Sequence, residues 1–355
     1  MASASKANMK VIFGTMTIGK PGQFLFRVWK ILFSLIPKLG HPMTRVYTFD
    51  DANSMVGMVQ KYGHDTIDTA RVYGEGSSEE YLGSLDLPAR EIRLDTKLYP
   101  TALRPGMTAY PYHHSPEDLR RGLMESLSAL KTNKLTTWYL HAPDRTVPFE
   151  DTLREVDKLH KEGHFESYGL CNFQSWEVAR VCEICKHHGW VKPAVYQGLY
   201  NTFHRAVEAE LFPCLRHYGL SFYCFNPLAG GLLTNRYKRG MTEFEKGSRF
   251  DGSSHHGKLH LDRYFDPLYF DALEILRPVA EKYGLTEVGC ALGWLSHHSM
   301  LKKDKGDGIV IGASSLKQLE ENLKALEGGA LPEEVVQALD AGWQRIRGKE
   351  LKFWH

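Results

Sequence analysis

Four residues in this chain suit one proton-transfer task. Asp68 ends a short apolar-edged run, and Tyr73 follows in Asp68-Thr-Ala-Arg-Val-Tyr73, ahead of Gly74, Gly76 and the polar patch Ser77-Ser78-Glu79-Glu80. Lys97 ends the next strand-like run, Ile92 to Leu98, and His141 ends the one after it, from Leu135. A carbonyl reduced by hydride becomes an alkoxide that must be protonated as it forms. A free tyrosine, with a pKa of roughly 10, is a reluctant acid for that task at neutral pH. A neighbouring ammonium stabilises the phenolate and lowers that value. A shift of two units corresponds to about 2.7 kcal/mol between the two protonation states. In this arrangement Lys97 tunes Tyr73, Asp68 holds Lys97, and His141 orients the carbonyl or shares the proton. Each residue taken singly has a plainer reading. An aspartate at a strand end caps a turn, a lone lysine is solvated, and a histidine before Ala142-Pro143 belongs to a turn. Their succession on consecutive strands is what favours the chemical reading.

The elements that must position them follow from periodicity. Lys10–Gly14 reads as a buried strand, and Asp50 to Tyr62 as a helix capped by Thr48 or Asp50, with Met55, Val56, Val59 and Tyr62 at helical spacing. A short helix around Glu79 to Leu85 follows the Asp68 strand. Ser115-Pro-Glu-Asp opens a helix with a cap, a first-turn proline and early acids. Further strands are expected at Leu135 to His141, Tyr168 to Cys171, Ala194 to Gln197, Ser221 to Phe225 and Ile309 to Gly312. Helices are expected at 148–163, 175–188, 206–218, 269–283, 286–298, 315–326 and 332–347, with a long loop from the Phe225 strand to about residue 268. Eight strands alternating with helices imply parallel pairing. The absence of a linker argues for one domain over residues 1–355. The fold class is therefore α/β, a single (β/α)8 TIM barrel with an insertion in its first βα loop. An open dinucleotide-binding sheet would carry Gly-x-Gly-x-x-Gly after its first strand, and Gly14-Thr-Met-Thr-Ile-Gly19 does not match.

Composition sets the boundaries. The 355 residues are 43% hydrophobic and 24% charged, which is ordinary for a globular chain, and the net charge of +2 gives no electrostatic case for nucleic acid. Six scattered cysteines, mostly in apolar runs, point to reduced thiols and a cytoplasmic location. Cys182-Glu-Ile-Cys185 with His187 and His188 is at most half a zinc site and lacks a second pair, so no metal is expected. The first residues, MASASKANMK, have no apolar signal core, and no run reaches the roughly 18 apolar residues of a membrane span.

The chain resembles the aldo-keto reductase superfamily, and most of all its aflatoxin-aldehyde reductase branch. The likeness rests on Asp68-Thr-Ala-x-x-Tyr73-Gly, Thr96-Lys97 and Tyr139-Leu-His141-Ala-Pro-Asp. It extends through Asn172-Phe173, Tyr196-Gln197-Gly-x-Tyr200-Asn201, Phe225-Asn-Pro-Leu-Ala-Gly-Gly-Leu-Leu-Thr234 and Gly312-Ala-Ser-Ser-x-x-Gln318-Leu-Glu-Glu321-Asn322. The resemblance implies a reductase of aldehydes or reactive ketones with Tyr73, Asp68, Lys97 and His141 as its catalytic set. It implies that Asn172 and Gln197 bond the nicotinamide carboxamide and that Phe225 stacks on the ring. Asn226, Leu228 and Gly230 would line the pyrophosphate, and Ser314, Gln318, Glu321 and Asn322 the adenosine end. Ser315-Leu-Lys-Gln318 is also a capping box, which is compatible with holding a phosphate at a helix N-terminus. A strong cationic fork for a 2′-phosphate is missing, with Lys317, Arg236 and Arg249 the candidates. NADPH is favoured and NADH is the alternative. Relatives are often homodimers. A cofactor-sensing regulatory subunit with little turnover is the competing function.

Residues 20–46 depart from the family pattern. Within them, Gln23 to Lys38 carries Arg27, Lys30, Ser34 and Lys38 on one helical face and is otherwise large and apolar. Three readings stand: packing against the barrel or no folded role, a lid over the catalytic mouth, and a basic amphipathic helix lying on a membrane.

Overall fold

The structure is a computed structural model and describes residues 5–20, 44–104, 111–245, 248–253, 255–350 and 352–355. Its centre is a closed barrel of parallel strands in chain order: β1 (Lys10–Gly14), β2 (Thr66–Asp68), β3 (Arg93–Leu98), β4 (Leu135–Leu140), β5 (Phe165–Cys171), β6 (Val195–Leu199), β7 (Ser221–Phe225) and β8 (Gly308–Ile311). β1 pairs with both β2 and β8, which closes the barrel, and the TIM-barrel expectation holds.

The helices are α1 (Phe49–Lys61), α2 (Ser77–Gly83), α3 (Pro116–Leu130), α4 (Phe149–Lys161), α5 (Ser175–His188), α6 (Leu211–Tyr218), α7 (His255–Tyr264), α8 (Pro267–Lys282), α9 (Glu287–His297), α10 (Leu316–Leu326) and α11 (Glu333–Ile346). Strand alternation sorts the side chains into two populations. Val11, Phe13, Ile67, Leu94, Trp138, Leu140, Phe222, Ile309 and Ile311 join the large core between barrel and helices. Ile12, Tyr139, Val195, Tyr223 and Val310 form a separate cluster, from the opposite strand faces, inside the barrel. Gly169 makes room there, because a Cβ at that position would stand 2.5 Å from the Tyr139 ring.

Caps agree with the sequence. The Thr48 hydroxyl accepts from the Asp51 amide at 3.1 Å, and the Ser115 hydroxyl from the Asp118 amide at 3.3 Å. Two expectations need correction. The helix expected from residue 206 begins at Leu211, which puts Pro213 in its first turn, where a missing N–H does no harm. The loop expected after β7 up to residue 268 contains α7.

The insertion is defined only at its ends. Gly19 N donates to Val46 O at 3.1 Å, Val46 N to Thr17 O at 3.0 Å, and Ile18 bridges Val46. The amphipathic stretch 23–38 lies outside the described residues. Cys182 and Cys185 are buried on α5, with Cys185 beside the Tyr168 hydroxyl at 3.4 Å, while His188 stacks on Trp190. Among the described residues no group of three or more His, Cys, Asp or Glu side chains is placed to hold a metal ion. Among them, too, no helix is long and apolar enough to cross a membrane.

Candidate active site

β2, β3 and β4 deliver the four residues to one end of the barrel. Asp68 is the last residue of β2, and its inward-facing carboxylate meets Lys97 of β3. The Lys97 ammonium donates to Asp68 Oδ2 at 2.5 Å and to the Thr69 carbonyl at 2.8 Å. Lys97 is wholly buried and Asp68 is 2% exposed. Two opposite charges so far from water persist only because each satisfies the other and further donors complete the shell. The Gln197 amide of β6 supplies one, bonding Asp68 Oδ1 at 2.8 Å.

The loop after β2 is laddered onto β3 and so places Tyr73. Thr69 N donates to Asp95 O, Arg71 N to Lys97 O and Tyr73 N to Ala70 O, at 2.9, 3.0 and 2.9 Å. The Arg71 side chain then binds Glu79 of α2 at 3.0 Å, and the Thr96 hydroxyl binds the other Glu79 oxygen at 2.7 Å. Gly76 belongs to this arrangement. Its φ of +88° lies in the left-handed region, and a Cβ would stand 2.5 Å from the Arg71 guanidinium.

Tyr73 therefore lies with its ring 5.3 Å from the Lys97 nitrogen. His141, just past β4, meets that ring edge-on at 5.8 Å between centroids. Tyr99 flanks the other side of His141 at 5.4 Å. Burial pushes the Tyr73 phenol above the ordinary tyrosine value, outweighing the downward pull of Lys97. Burial is the largest single influence on Lys97 and opposes its charge, but the Asp68 carboxylate, the Tyr73 phenol and the hydrogen bond to Asp68 together keep the lysine above its ordinary value. For His141, burial and then the Lys97 charge hold the imidazole well below its ordinary value, so the ring is neutral at pH 7. Its buried Nδ1 has no hydrogen-bond partner among the described residues. The site is thus a protonated phenol, a fixed ammonium with its carboxylate, and a neutral imidazole with a free ring nitrogen. That arrangement can donate a proton to an oxygen that acquires negative charge.

Around it stand the loops after β5, β7 and β8. Asn172 holds φ at 63°, a left-handed conformation that asparagine takes more readily than other non-glycine residues, and donates to the His141 carbonyl at 2.8 Å. Asn226 and Ala229 are similarly turned, at φ 54° and 50°, and flank Leu228, with Gly230 and Gly231 following. Arg249 reaches back to Asn226 Oδ1 at 3.1 Å. Its residue keeps some accessible surface, but its guanidinium is enclosed enough that desolvation lowers its pKa. It pairs with no carboxylate among the described residues. At the end of β8, a Cβ on Gly312 would meet Arg249 at 3.8 Å, so the backbone leaves an open cradle beside the cation. Ser314 bonds Gln318 at 2.6 Å, and the Asn322 amide bonds the Gly312 carbonyl at 3.2 Å. An enclosed guanidinium without a counter-anion, next to the N-terminus of α10, fits a bound phosphate group.

Residues 10–344 match the family described as Aldo/keto reductase family. The chain belongs to the aldo/keto reductase family. It is 44% identical over 353 residues to the aldo-keto reductase pigE of Monascus ruber, covering 99% of this chain and 98% of that protein. It is 48% identical over 293 residues to an aldo-keto reductase of Pseudocercospora fijiensis, covering 82% of this chain and 97% of that protein. Aflatoxin B1 aldehyde reductase member 2 of Mus musculus is 40% identical over 308 residues, covering 83% of this chain and 82% of that protein.

Within this reductase, most residues singled out from the sequence converge. Asp68, Tyr73, Lys97 and His141 meet at one barrel end with Asn172 and Gln197. Phe225, Asn226, Leu228, Gly230 and Arg249 share the β7 side, and Ser314, Gln318 and Asn322 the β8 side. Two stand apart. Glu321 is exposed and faces Lys317 at 3.9 Å. Arg236 is exposed, between Asn235, which is bonded to Glu287 at 2.6 Å, and Tyr237, whose carbonyl takes Arg277 at 2.7 Å. The sequence reading missed Glu79 and Arg71, which fix the tyrosine loop, and Asp95 beneath Lys97. It also missed Arg145. This residue binds Glu177 at 2.7 Å and the His355 carbonyl at 3.3 Å, while His355 N reaches Asn172 O at 3.4 Å and its ring stacks on Tyr99. The residues from 352 onward thereby run over the catalytic end.

Proposed function

We propose that the protein is an NADPH-dependent reductase that converts aldehydes or reactive ketones to alcohols with Tyr73 as the proton donor. The observation that carries this reading is the buried Lys97–Asp68 pair, whose nitrogen lies 5.3 Å from the Tyr73 ring with a neutral His141 alongside. NADPH, when bound, supplies the hydride. Phe225, Asn226, Leu228, Gly230 and Arg249 are the residues that would hold its nicotinamide and pyrophosphate. Ser314, Gln318, Asn322 and Lys317 would surround its adenosine end and 2′-phosphate. Asn172 and Gln197, the sequence candidates for the carboxamide, are at the same barrel end.

The proton follows from the residues themselves. Tyr73 rests protonated because burial raises its pKa. As negative charge grows on the carbonyl oxygen, the hydroxyl proton moves to it and the phenolate forms beside the Lys97 ammonium. That charge is fixed in place by Asp68 and needs no reorganisation, which is the physical advantage of a pre-set counter-ion. His141, neutral, donates a ring N–H to the same oxygen and sets its direction. The six cysteines are all free thiols, which agrees with a reducing, cytoplasmic setting.

A panel of aromatic and aliphatic aldehydes, followed by loss of NADPH absorbance, tests the reading. Turnover of several members with NADPH is expected. Tight NADPH binding with no turnover anywhere in the panel would replace it with the cofactor-sensing alternative.

A further inference from the structure

We propose that Asp95 is a proton-holding carboxyl beside Asp68 and beneath Lys97, and that its ionisation sets the alkaline limit of carbonyl reduction. The inference rests on the reductase reading above. Asp95 lies two residues before Lys97 on β3, so both side chains point into the barrel, while Leu94 before them and Thr96 between them point to the helices. In register, Asp95 stands opposite Asp68 of β2 and Thr137 of β4, and Lys97 opposite Tyr139. Asp95 therefore sits beside Asp68 and one inward-facing position below Lys97.

Its surroundings cannot support a full charge. Asp95 is 1% exposed. Neither carboxyl oxygen has a hydrogen bond of good geometry among the described residues, although the Thr137 hydroxyl is close by. The Tyr139 hydroxyl, also inside the barrel, is equally without a partner. The groups facing Asp95 are Lys10 from β1, Asp68 from β2, Lys97 from β3, Tyr139 from β4 and, beyond Tyr139, Tyr223 from β7. The Lys10 ammonium is bonded to the Tyr223 hydroxyl at 2.7 Å. An unpaired buried carboxylate is costly, and the group keeps its proton instead. Burial, and then the Asp68 charge, raise its pKa to about 7.

The consequence passes through Lys97, so Asp95 is a positioning residue for charge rather than a catalytic one. While Asp95 is protonated, the ammonium has one carboxylate neighbour, and its field extends to the Tyr73 oxygen. Above about pH 7 the Asp95 proton leaves to solvent and a second negative charge appears under Lys97. The ammonium then answers to two carboxylates, and its stabilisation of the forming phenolate weakens. The proton given to substrate remains that of Tyr73. A weakening equal to one pKa unit would slow reduction about tenfold.

The test uses the full chain and its variant Asp95→Asn, which keeps the shape and cannot ionise. Infrared spectra across about pH 5 to 9 should show a protonated-carboxyl band in the wild type that fades near pH 7 and is missing from Asp95→Asn. With NADPH and one aldehyde, kcat/KM of the wild type should fall through about pH 7, whereas the variant should stay level and exceed the wild type about tenfold at about pH 8.5. Asp95→Leu, likewise unable to ionise, serves if the asparagine variant folds poorly. A carboxyl band that survives in Asp95→Asn, or an alkaline limb with the same midpoint in both proteins, overturns the proposal. A wild type without turnover would overturn the reductase reading itself, and the infrared titration separates that failure from a failure at Asp95.

Discussion

Asp95 and Lys97 differ in how readily they are found. Lys97 stands at a strand end, where a barrel places its chemistry, and it was legible with Asp68, Tyr73 and His141. Asp95 sits in mid-strand, and nothing in its local spacing distinguishes an inward polar residue from an ordinary one. Two-residue alternation from Lys97 was the signal that could have found it. Its burial also has a cost for stability. The folded pKa is raised to about 7 from the ordinary aspartate value of 3.8, so the folded state binds the proton more tightly than the unfolded chain. That contribution is fully present below about pH 4 and is lost as pH rises through about 7. Replacing the carboxyl removes the dependence. Urea unfolding of Asp95→Asn should therefore show a gain over the wild type that grows between about pH 4 and 7, reaching up to about 3–4 kcal/mol. An equal difference between the two proteins at both pH values would rule out a buried ionisation.

At the scale of elements, the loop between β2 and α2 determines where the phenol lies. It is pinned along its backbone to β3 and by the Arg71–Glu79 pair, with Glu79 wholly buried and Arg71 nearly so. Removing one partner of a buried ion pair strands the other, at a cost of about 3 kcal/mol or more. Glu79→Ala should therefore lower the unfolding free energy by about that amount and reduce kcat as well, because the Tyr73 loop loses its anchor. A variant of unchanged stability in chemical denaturation would show the pair to be dispensable. The sequence marked Glu79 only as part of a helix-starting polar patch, because its partners Arg71 and Thr96 become neighbours only when β2 and β3 pair. The same limit explains α6 and α7. Apolar spacing extended α6 back to residue 206, although Pro213 favours a start at Leu211. The polar, histidine-rich run of α7 reads as loop because its helical apolar stripe is weak.

For the whole molecule, strand-helix alternation was sufficient to give the closed barrel. The family likeness named a set of cofactor contacts, of which Arg236 and Glu321 are exposed. The insertion is the remaining departure, and its two ends are already stitched together by the Ile18–Val46 bridge and the bonds beside it. Those bonds join the two ends without the segment between them, so replacing residues 21–43 by a short Gly/Ser linker should leave the melting temperature within about 2 °C. A larger fall, measured by scanning calorimetry, would mean that the segment packs as part of the core. Its effect on kcat/KM in the same variant separates a lid from a bystander. The central claim is that Tyr73 donates the proton, and Tyr73→Phe tests it most directly. Cofactor-fluorescence titration of this variant should show NADPH binding as in the wild type, while single-turnover reduction of an accepted aldehyde slows by about 10³-fold or more. Wild-type reduction rates in a variant that still binds NADPH would contradict the account.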